Sequence, residues 1–147
     1  MDLTLECDVQ AFLRQAIAAA LVASAHDLSD GGLAVAAAEC CLAAGLAARL
    51  ELPAGSARPD RLLFAEGGAR VLVSVPPERA GEWRQALERA GSSVPALELG
   101  VVELAGAPLT ILRGGATLLQ LPLDQRRQSY EQAMPRRLRG AAPPPEH

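Results

Sequence analysis

The spacing of apolar residues predicts two helices in the first third of the chain. Apolar positions recur at helical spacing over residues 8–23, which indicates an amphipathic helix. Residues 31–44 are apolar almost all round, with Glu39 as the lone charge, so we expect this helix to be buried in a core. Gly45 stands where a helix-ending glycine is expected.

The remaining pattern alternates between short apolar runs and helical spacing. This order predicts an α+β (mixed α/β) domain in which helices pack on a mixed sheet. We assign residues 1–139 to this domain and expect the proline-rich residues 140–147 to be a disordered tail. The predicted elements are an extended stretch at 24–28, strands at 46–52, 71–75, 97–104, 108–112 and 117–121, and helices at 61–64, 78–90 and 123–134.

Composition excludes several classes of function. The chain has 147 residues, which suits one domain, and a net charge of −3, so it has no basic field to attract nucleic acid. No run of 18 apolar residues predicts a membrane span, and the acidic N-terminus does not resemble a signal peptide. All 14 basic residues are arginine, so no lysine nucleophile or phosphate-loop lysine can come from this chain.

The three cysteines predict free thiols. Cys40 and Cys41 are neighbours on a predicted helix, Cys7 stands apart, and no Cys-x-x-Cys pair is present. We therefore expect buried structural thiols in a reducing compartment. A zinc site is disfavoured, since only two histidines are available as ligands.

The densest chemistry lies in residues 26–32, which read His-Asp-Leu-Ser-Asp-Gly-Gly directly before the second helix. Glycines permit a close backbone approach to a ligand, and a helix N-terminus favours phosphate. Aspartate oxygens are ligands that Mg²⁺ accepts, commonly together with a substrate phosphate. The candidate contacts to nucleotide or phosphate are Ser29, Asp30, Gly31 and Gly32, and the candidate metal ligand is Asp27. The competing interpretation is that Asp30 or Ser29 merely caps the helix while the glycines form the turn.

The motif resembles a known family. His26 to Leu33, the Leu-Phe-x-Glu segment that ends at Glu66, and Tyr130 to Pro135 are similar to the C-terminal part of phosphoribosylformylglycinamidine synthase, an enzyme of purine synthesis. The similarity covers roughly residues 8–138, and the absence of a following glutaminase domain matches the short form of the family.

This resemblance implies the C-terminal domain fold of the aminoimidazole ribonucleotide synthetase superfamily. It implies an ATP-dependent ligase in which ATP activates a carbonyl oxygen as a phosphate ester and ammonia from glutamine displaces the phosphate. The implied cofactors are Mg²⁺ and ATP, with roles for Asp27 and Ser29. The implied partners are an upstream ATP-binding domain of the same enzyme, a separate glutaminase subunit and a small accessory subunit, in the cytoplasm. We expect the isolated chain to be inactive.

Other assignments stay open at this point. Thiamine-monophosphate kinases carry a related Asp-x-Ser-Asp-Gly-Leu motif, and a non-catalytic interaction or scaffold domain would use the same glycine turn structurally. His26 is expected to orient the loop by hydrogen bonding, although it could act as a general acid or base. Glu66 is expected to be a turn carboxylate, with a supporting acid role as the alternative. Arg113 lies in a Gly-Gly turn, where it could contact a phosphate but is expected to be solvated.

Overall fold

A computed structural model describes residues 2–133 and residue 135. It confirms a mixed α/β domain with helices packed on sheets. The described residues form five helices and six strands, which alternate except that the last three strands are consecutive, with short 3₁₀ turns at Pro77–Arg79 and Gly91–Ser93. The helices are α1 (Leu3–Ala18), α2 (Gly32–Ala44), α3 (Pro59–Phe64), α4 (Ala80–Ala90) and α5 (Leu123–Glu131). The strands are β1 (Ser24–Asp27), β2 (Ala47–Leu52), β3 (Val71–Ser74), β4 (Gly100–Glu103), β5 (Leu109–Arg113) and β6 (Ala116–Leu121).

The strands form two sheets within the described residues. One has two strands, with β1 and β3 antiparallel and Asp27 opposite Val71. The other has four strands in the order β4-β2-β5-β6. In that sheet β2 and β5 are parallel, while the outer pairs are antiparallel, so it is mixed. The small sheet is an addition to the expected architecture, because β3 pairs with β1 and not with the larger sheet.

Helix α2 is buried, as its composition predicts, and it lies between the two sheets. It contacts β1 and β3 of the small sheet, β2 and β5 of the large one, and also α3 and α5. A helix with neighbours on nearly every side needs no polar face, which explains why Glu39 is its only charge. The core consists of small and aliphatic side chains: Leu28, Leu33, Ala34, Ala36, Ala37, Cys41, Ala48, Leu50, Leu52, Leu63, Leu109 and Ile111.

The first helix is shifted from its expected position. It covers Leu3–Ala18 and not 8–23, because Asp2 caps it by accepting from the Thr4 and Leu5 N–H groups at 3.1 Å. It ends where Ala20 adopts a left-handed conformation and Leu21 N–H donates to the Ala16 carbonyl. No glycine marks that end, so the apolar pattern continued past it. Phe12 packs edge-on against Trp83 of α4, with ring centroids 5.3 Å apart.

The other boundaries agree closely, with three corrections. The strand expected over 97–104 is confined to Gly100–Glu103. The helix expected over 78–90 begins as a 3₁₀ turn and becomes α-helical at Ala80. The final helix is described to Glu131, while Met134 and the tail at 140–147 lie outside the described residues.

The three cysteines are free thiols, as expected. Contrary to expectation, Cys7 is exposed on α1, whereas Cys40 is half-buried and Cys41 is buried on α2.

Within residues 2–133, no helix is both long enough and apolar enough to cross a membrane.

Candidate functional site

An open cleft of about 440 Å³ lies beside the motif loop. Three segments form its walls: the motif loop from Asp27 to Asp30, the connection between α3 and β3 at residues 66–71, and one face of α1. The cleft therefore joins parts of the chain that are up to 65 residues apart in sequence, from Glu6 to Val71. Its lining residues are Glu6, Val9, Gln10, Asp27, Leu28, Ser29, Asp30, Glu66, Gly67, Gly68, Ala69, Arg70 and Val71.

The motif loop presents its polar side chains to this cleft. Leu28 is buried in the core, whereas Asp27, Ser29 and Asp30 are exposed around it, and the Asp27 side chain is 73% exposed. Leu28 N–H donates to the Arg70 carbonyl at 2.9 Å, which extends the β1–β3 pairing by one step. The loop is thus anchored by its apolar residue and leaves the candidate ligands facing solvent.

Both glycines of the motif have left-handed backbones. Gly31 has φ +80° and Gly32 has φ +63°. A Cβ at Gly31 would lie 2.4 Å from Val35 Cγ2, and one at Gly32 would lie 2.8 Å from the Phe64 carbonyl carbon. The second glycine is therefore required for the close packing of α2 against the end of α3.

Glu66 holds the glycine turn at the start of α2. Its Oε1 atom accepts a hydrogen bond from Gly31 N–H at 3.1 Å, across 35 residues of sequence. Gly31 is the N-cap residue of α2, and among the described residues no side chain caps this helix. The interpretation that Asp30 or Ser29 caps the helix is therefore wrong. Glu66 is a carboxylate at a turn, as expected, but the turn that it stabilises is the distant motif.

His26 connects the motif to the middle of α2. Its Nδ1 atom lies 2.7 Å from the Asp27 carbonyl oxygen, and its Nε2 atom lies 3.2 Å from Glu39 Oε2. Both neighbours are hydrogen-bond acceptors, and a neutral imidazole has a single N–H to donate. His26 is not among the residues that line the cleft, which is consistent with the orienting role expected for it.

Arg70 is the cation among the residues that line the cleft. Its Nη1 donates to the Ala65 carbonyl at 2.8 Å, at the C-terminal end of α3. Sequence reasoning did not single out Arg70 or Glu6, because their place beside the motif depends on the packing of α1 and the β1–β3 pair. Arg113, by contrast, donates to the Ala57 and Gly55 carbonyls and secures the loop after β2.

The described donors fit Mg²⁺ in type but do not enclose it. Asp27 and Asp30 offer exposed carboxylates, and Mg²⁺ is commonly held by one or two carboxylates together with waters and substrate phosphates. Among the described residues, no group of three or more histidine, cysteine, aspartate or glutamate side chains is placed to hold a metal ion. On these carboxylates alone Mg²⁺ would bind weakly, and oxygen atoms from a bound phosphate or from another part of the protein would be needed to hold it tightly.

The sequence has close relatives of known name. The chain is 56% identical over 142 residues to the phosphoribosylformylglycinamidine synthase subunit PurL of Prochlorococcus marinus (strain MIT 9313). The match covers 94% of this chain but 18% of that protein, so the chain spans less than a fifth of the length of this relative.

Solved structures show the same fold. The chain superposes on the PurLQS structure from Thermotoga maritima with a TM-score of 0.72 and 18% identity, covering 85% of this chain and 22% of the other. It superposes on T. maritima PurL complexed with ATP with a TM-score of 0.66 and 17% identity, covering 81% of this chain and 21% of the other.

The family assignment follows from the segment that contains the site. Residues 1–107 match the family described as AIR synthase related protein, C-terminal domain. This segment includes α1 to α4 and every residue that lines the cleft. The chain therefore belongs to the family of AIR synthase related proteins and corresponds to their C-terminal domain.

Proposed function

We propose that this chain is the C-terminal domain of a phosphoribosylformylglycinamidine synthase, an ATP-dependent ligase of purine synthesis, and that its cleft binds a Mg²⁺–nucleotide complex. The observation that carries the proposal is the exposure of Asp27, Ser29 and Asp30 on one open cleft, although their neighbour Leu28 is buried. The identity to named synthase subunits over 94% of the chain supports the reaction class.

Each residue of the motif has a distinct part in this proposal. Asp27 would supply an anionic oxygen to Mg²⁺, the Ser29 hydroxyl would donate to a phosphate oxygen, and the Asp30 carboxylate would accept from waters bound to the metal beside the phosphate. When bound, Mg²⁺ would neutralise the charge of the phosphoryl oxygens. Gly31 and Gly32 allow the backbone turn that keeps these side chains at the edge of α2.

The reaction would need more than this chain. The curated relatives are more than five times as long, and a structural relative occurs in a structure described as PurLQS. We therefore infer that an upstream ATP-binding domain, a separate glutaminase subunit and a small accessory subunit complete the enzyme, in the cytoplasm. The isolated chain should form no amidine from ammonia and ATP.

One observation favours a structural alternative for the loop. Gly31 N–H already has an internal acceptor in Glu66, and Gly32 N–H donates to the Ser29 carbonyl, so these two N–H groups need no ligand. If the domain is a non-catalytic scaffold, the exposed side chains of the motif will contribute nothing to nucleotide affinity.

The Asp27→Asn variant of the full chain distinguishes the two. We expect it to weaken Mg²⁺·ADP binding by about 1.5–3 kcal/mol, typical for the loss of a charged partner. Its melting temperature without nucleotide should stay near that of the wild type, because the Asp27 side chain is largely exposed. Isothermal titration calorimetry and thermal unfolding measure the two quantities.

Asp124→Asn is the matched control. Asp124 is exposed in the first turn of α5 and does not line the cleft, so its substitution should leave nucleotide affinity unchanged. Equal affinities for Asp27→Asn and the wild type would remove the functional role of the loop.

A further inference from the structure

We propose that Arg70 is the anion contact of the cleft and binds phosphoryl oxygens of the nucleotide whose Mg²⁺ lies beside Asp27. This inference rests on the proposed function and assigns a residue to the phosphate side of the same site. The first argument is the charge of the lining. In the described part of the chain, four carboxylates face the cleft, from Glu6, Asp27, Asp30 and Glu66, and Arg70 is the only cationic side chain that lines it.

Such a lining selects between free phosphate and a metal–phosphate complex. A bare polyphosphate would meet four negative charges and one positive charge, so it is repelled. A divalent cation on the carboxylates reverses the balance on one side of the cleft. The guanidinium can then take the phosphoryl oxygens on the other side. The cleft should therefore accept ADP only together with Mg²⁺.

Arg70 has hydrogen-bonding capacity that the described fold does not use. A guanidinium carries five N–H donors, and one of them, on Nη1, is bonded to the Ala65 carbonyl. Although four carboxylates share its cleft, none in the described part of the chain lies within 4.0 Å of the Arg70 nitrogens. The remaining donors are thus free to form the paired bonds that arginine makes with phosphate.

The backbone places Arg70 next to the motif. Asp27 pairs with Val71 in the small sheet, and the next step along the strands is the bond from Leu28 N–H to the Arg70 carbonyl. Arg70 is therefore the cross-strand neighbour of Leu28, which lies between Asp27 and Ser29. The bond to Ala65 holds one end of its guanidinium, which lowers the entropy lost when a ligand binds.

The test separates the phosphate from the cation. In the full chain, Arg70→Gln should weaken Mg²⁺·ADP binding about ten-fold or more, while the affinity for Mg²⁺ alone stays within about two-fold or increases. Asp27→Asn should weaken both. Arg70→Lys should fall between wild type and Arg70→Gln, because it keeps the charge and loses the fork. Arg84→Gln, an exposed change on α4 away from the cleft, is the control.

Several results would overturn the inference. If Arg70→Gln binds Mg²⁺·ADP as the wild type does, Arg70 is no phosphate contact. If Arg70→Gln weakens the binding of Mg²⁺ and of Mg²⁺·ADP equally, Arg70 acts by supporting the end of α3 through its hydrogen bond to the Ala65 carbonyl. Should Arg70→Gln fail to fold, unchanged nucleotide affinity in Arg70→Lys would decide against it. If the wild type binds no Mg²⁺·ADP, the proposed function fails as well, whereas an effect of Asp27→Asn alone leaves that function standing.

Discussion

At the scale of single residues, the glycines differ in what they do, although their backbones are alike. Gly32 and Gly45 stand at the two ends of α2 with φ values of +63° and +66°. A Cβ at Gly32 would meet the backbone of α3, whereas a Cβ at Gly45 would meet no atom of the described residues within 4 Å. The two positions share a left-handed conformation and differ in the space around an added Cβ. Substituting each by alanine therefore separates the cost of backbone strain from the cost of a steric clash.

We expect Gly45→Ala to lower the free energy of unfolding by about 1–2 kcal/mol, the cost of a left-handed non-glycine residue. Gly32→Ala should cost this amount and about 1–3 kcal/mol more, because α2 must move away from Phe64. Urea denaturation of both variants measures the difference. Equal losses would mean that α2 and α3 separate without cost.

The sequence predicts part of the candidate site but not all of it. Asp27, Ser29 and Asp30 could be identified because these polar residues lie within one short motif of seven residues, 26–32. Glu66, Arg70 and Glu6 reach the same cleft through contacts between segments distant in sequence. Such contacts depend on how β3 pairs with β1 and where α1 packs. Neither is encoded in local periodicity.

At the scale of elements, α2 was predictable and α1 was shifted. A glycine caps each end of α2, and its almost uniformly apolar sequence indicates that it packs against neighbours on both sides. The cap of α1 at Asp2 lay outside the apolar stripe, and its end at Ala20 has no glycine to mark it. The mixed sheet was foreseen as a class, but a separate β1–β3 pair was not, since strand partners are set by the whole fold.

The thiols of α2 and α1 should react differently. Burial raises the pKa of Cys40 and Cys41, and in Cys41 it outweighs the opposing influence of the Arg126 guanidinium. A raised pKa leaves less thiolate at neutral pH, so we expect one fast thiol, Cys7, in the native chain and three after denaturation. Counting with a chromogenic disulfide reagent tests this. Three fast native thiols would show that α2 is uncovered.

These pKa shifts also set a pH dependence. A thiol whose pKa is higher in the folded chain favours folding while it is protonated, so its contribution is complete below the unfolded value of about 9 and is lost as the pH rises further. The free energy of unfolding should therefore decline above about pH 9. Cys40→Ala with Cys41→Ala, which removes both titrating groups, should flatten that decline.

At the scale of the whole molecule, the buried core extends beyond the segment that matches the family. The match ends at residue 107, yet Leu109 and Ile111 of β5 are the largest fully buried side chains described. Strand β5 joins the large sheet in the middle, between β2 and β6. A chain that stops before β5 would leave the side of α2 that faces the large sheet covered by β2 but not by β5.

We expect residues 1–107 alone to lack a cooperative thermal transition, because about half of the large sheet is missing. A chain of residues 1–133 keeps β5, β6 and α5 and is the control that should melt cooperatively. Circular dichroism during heating compares them. A cooperative transition of the shorter chain at the temperature of the control would show that β5 and β6 are dispensable.

The position of α2 between the two sheets also governs the order in which the protein can fold during synthesis. The helix leaves the ribosome early, but two of the strands that cover it come later: β3 about 30 residues and β5 about 70 residues after it. Until both are made, part of its apolar surface faces water, and until residue 66 is made the motif loop at its start has no Glu66 to hold Gly31. The nascent chain is thus most exposed to aggregation in the interval before β5, which is the stage at which a chaperone would be of most use.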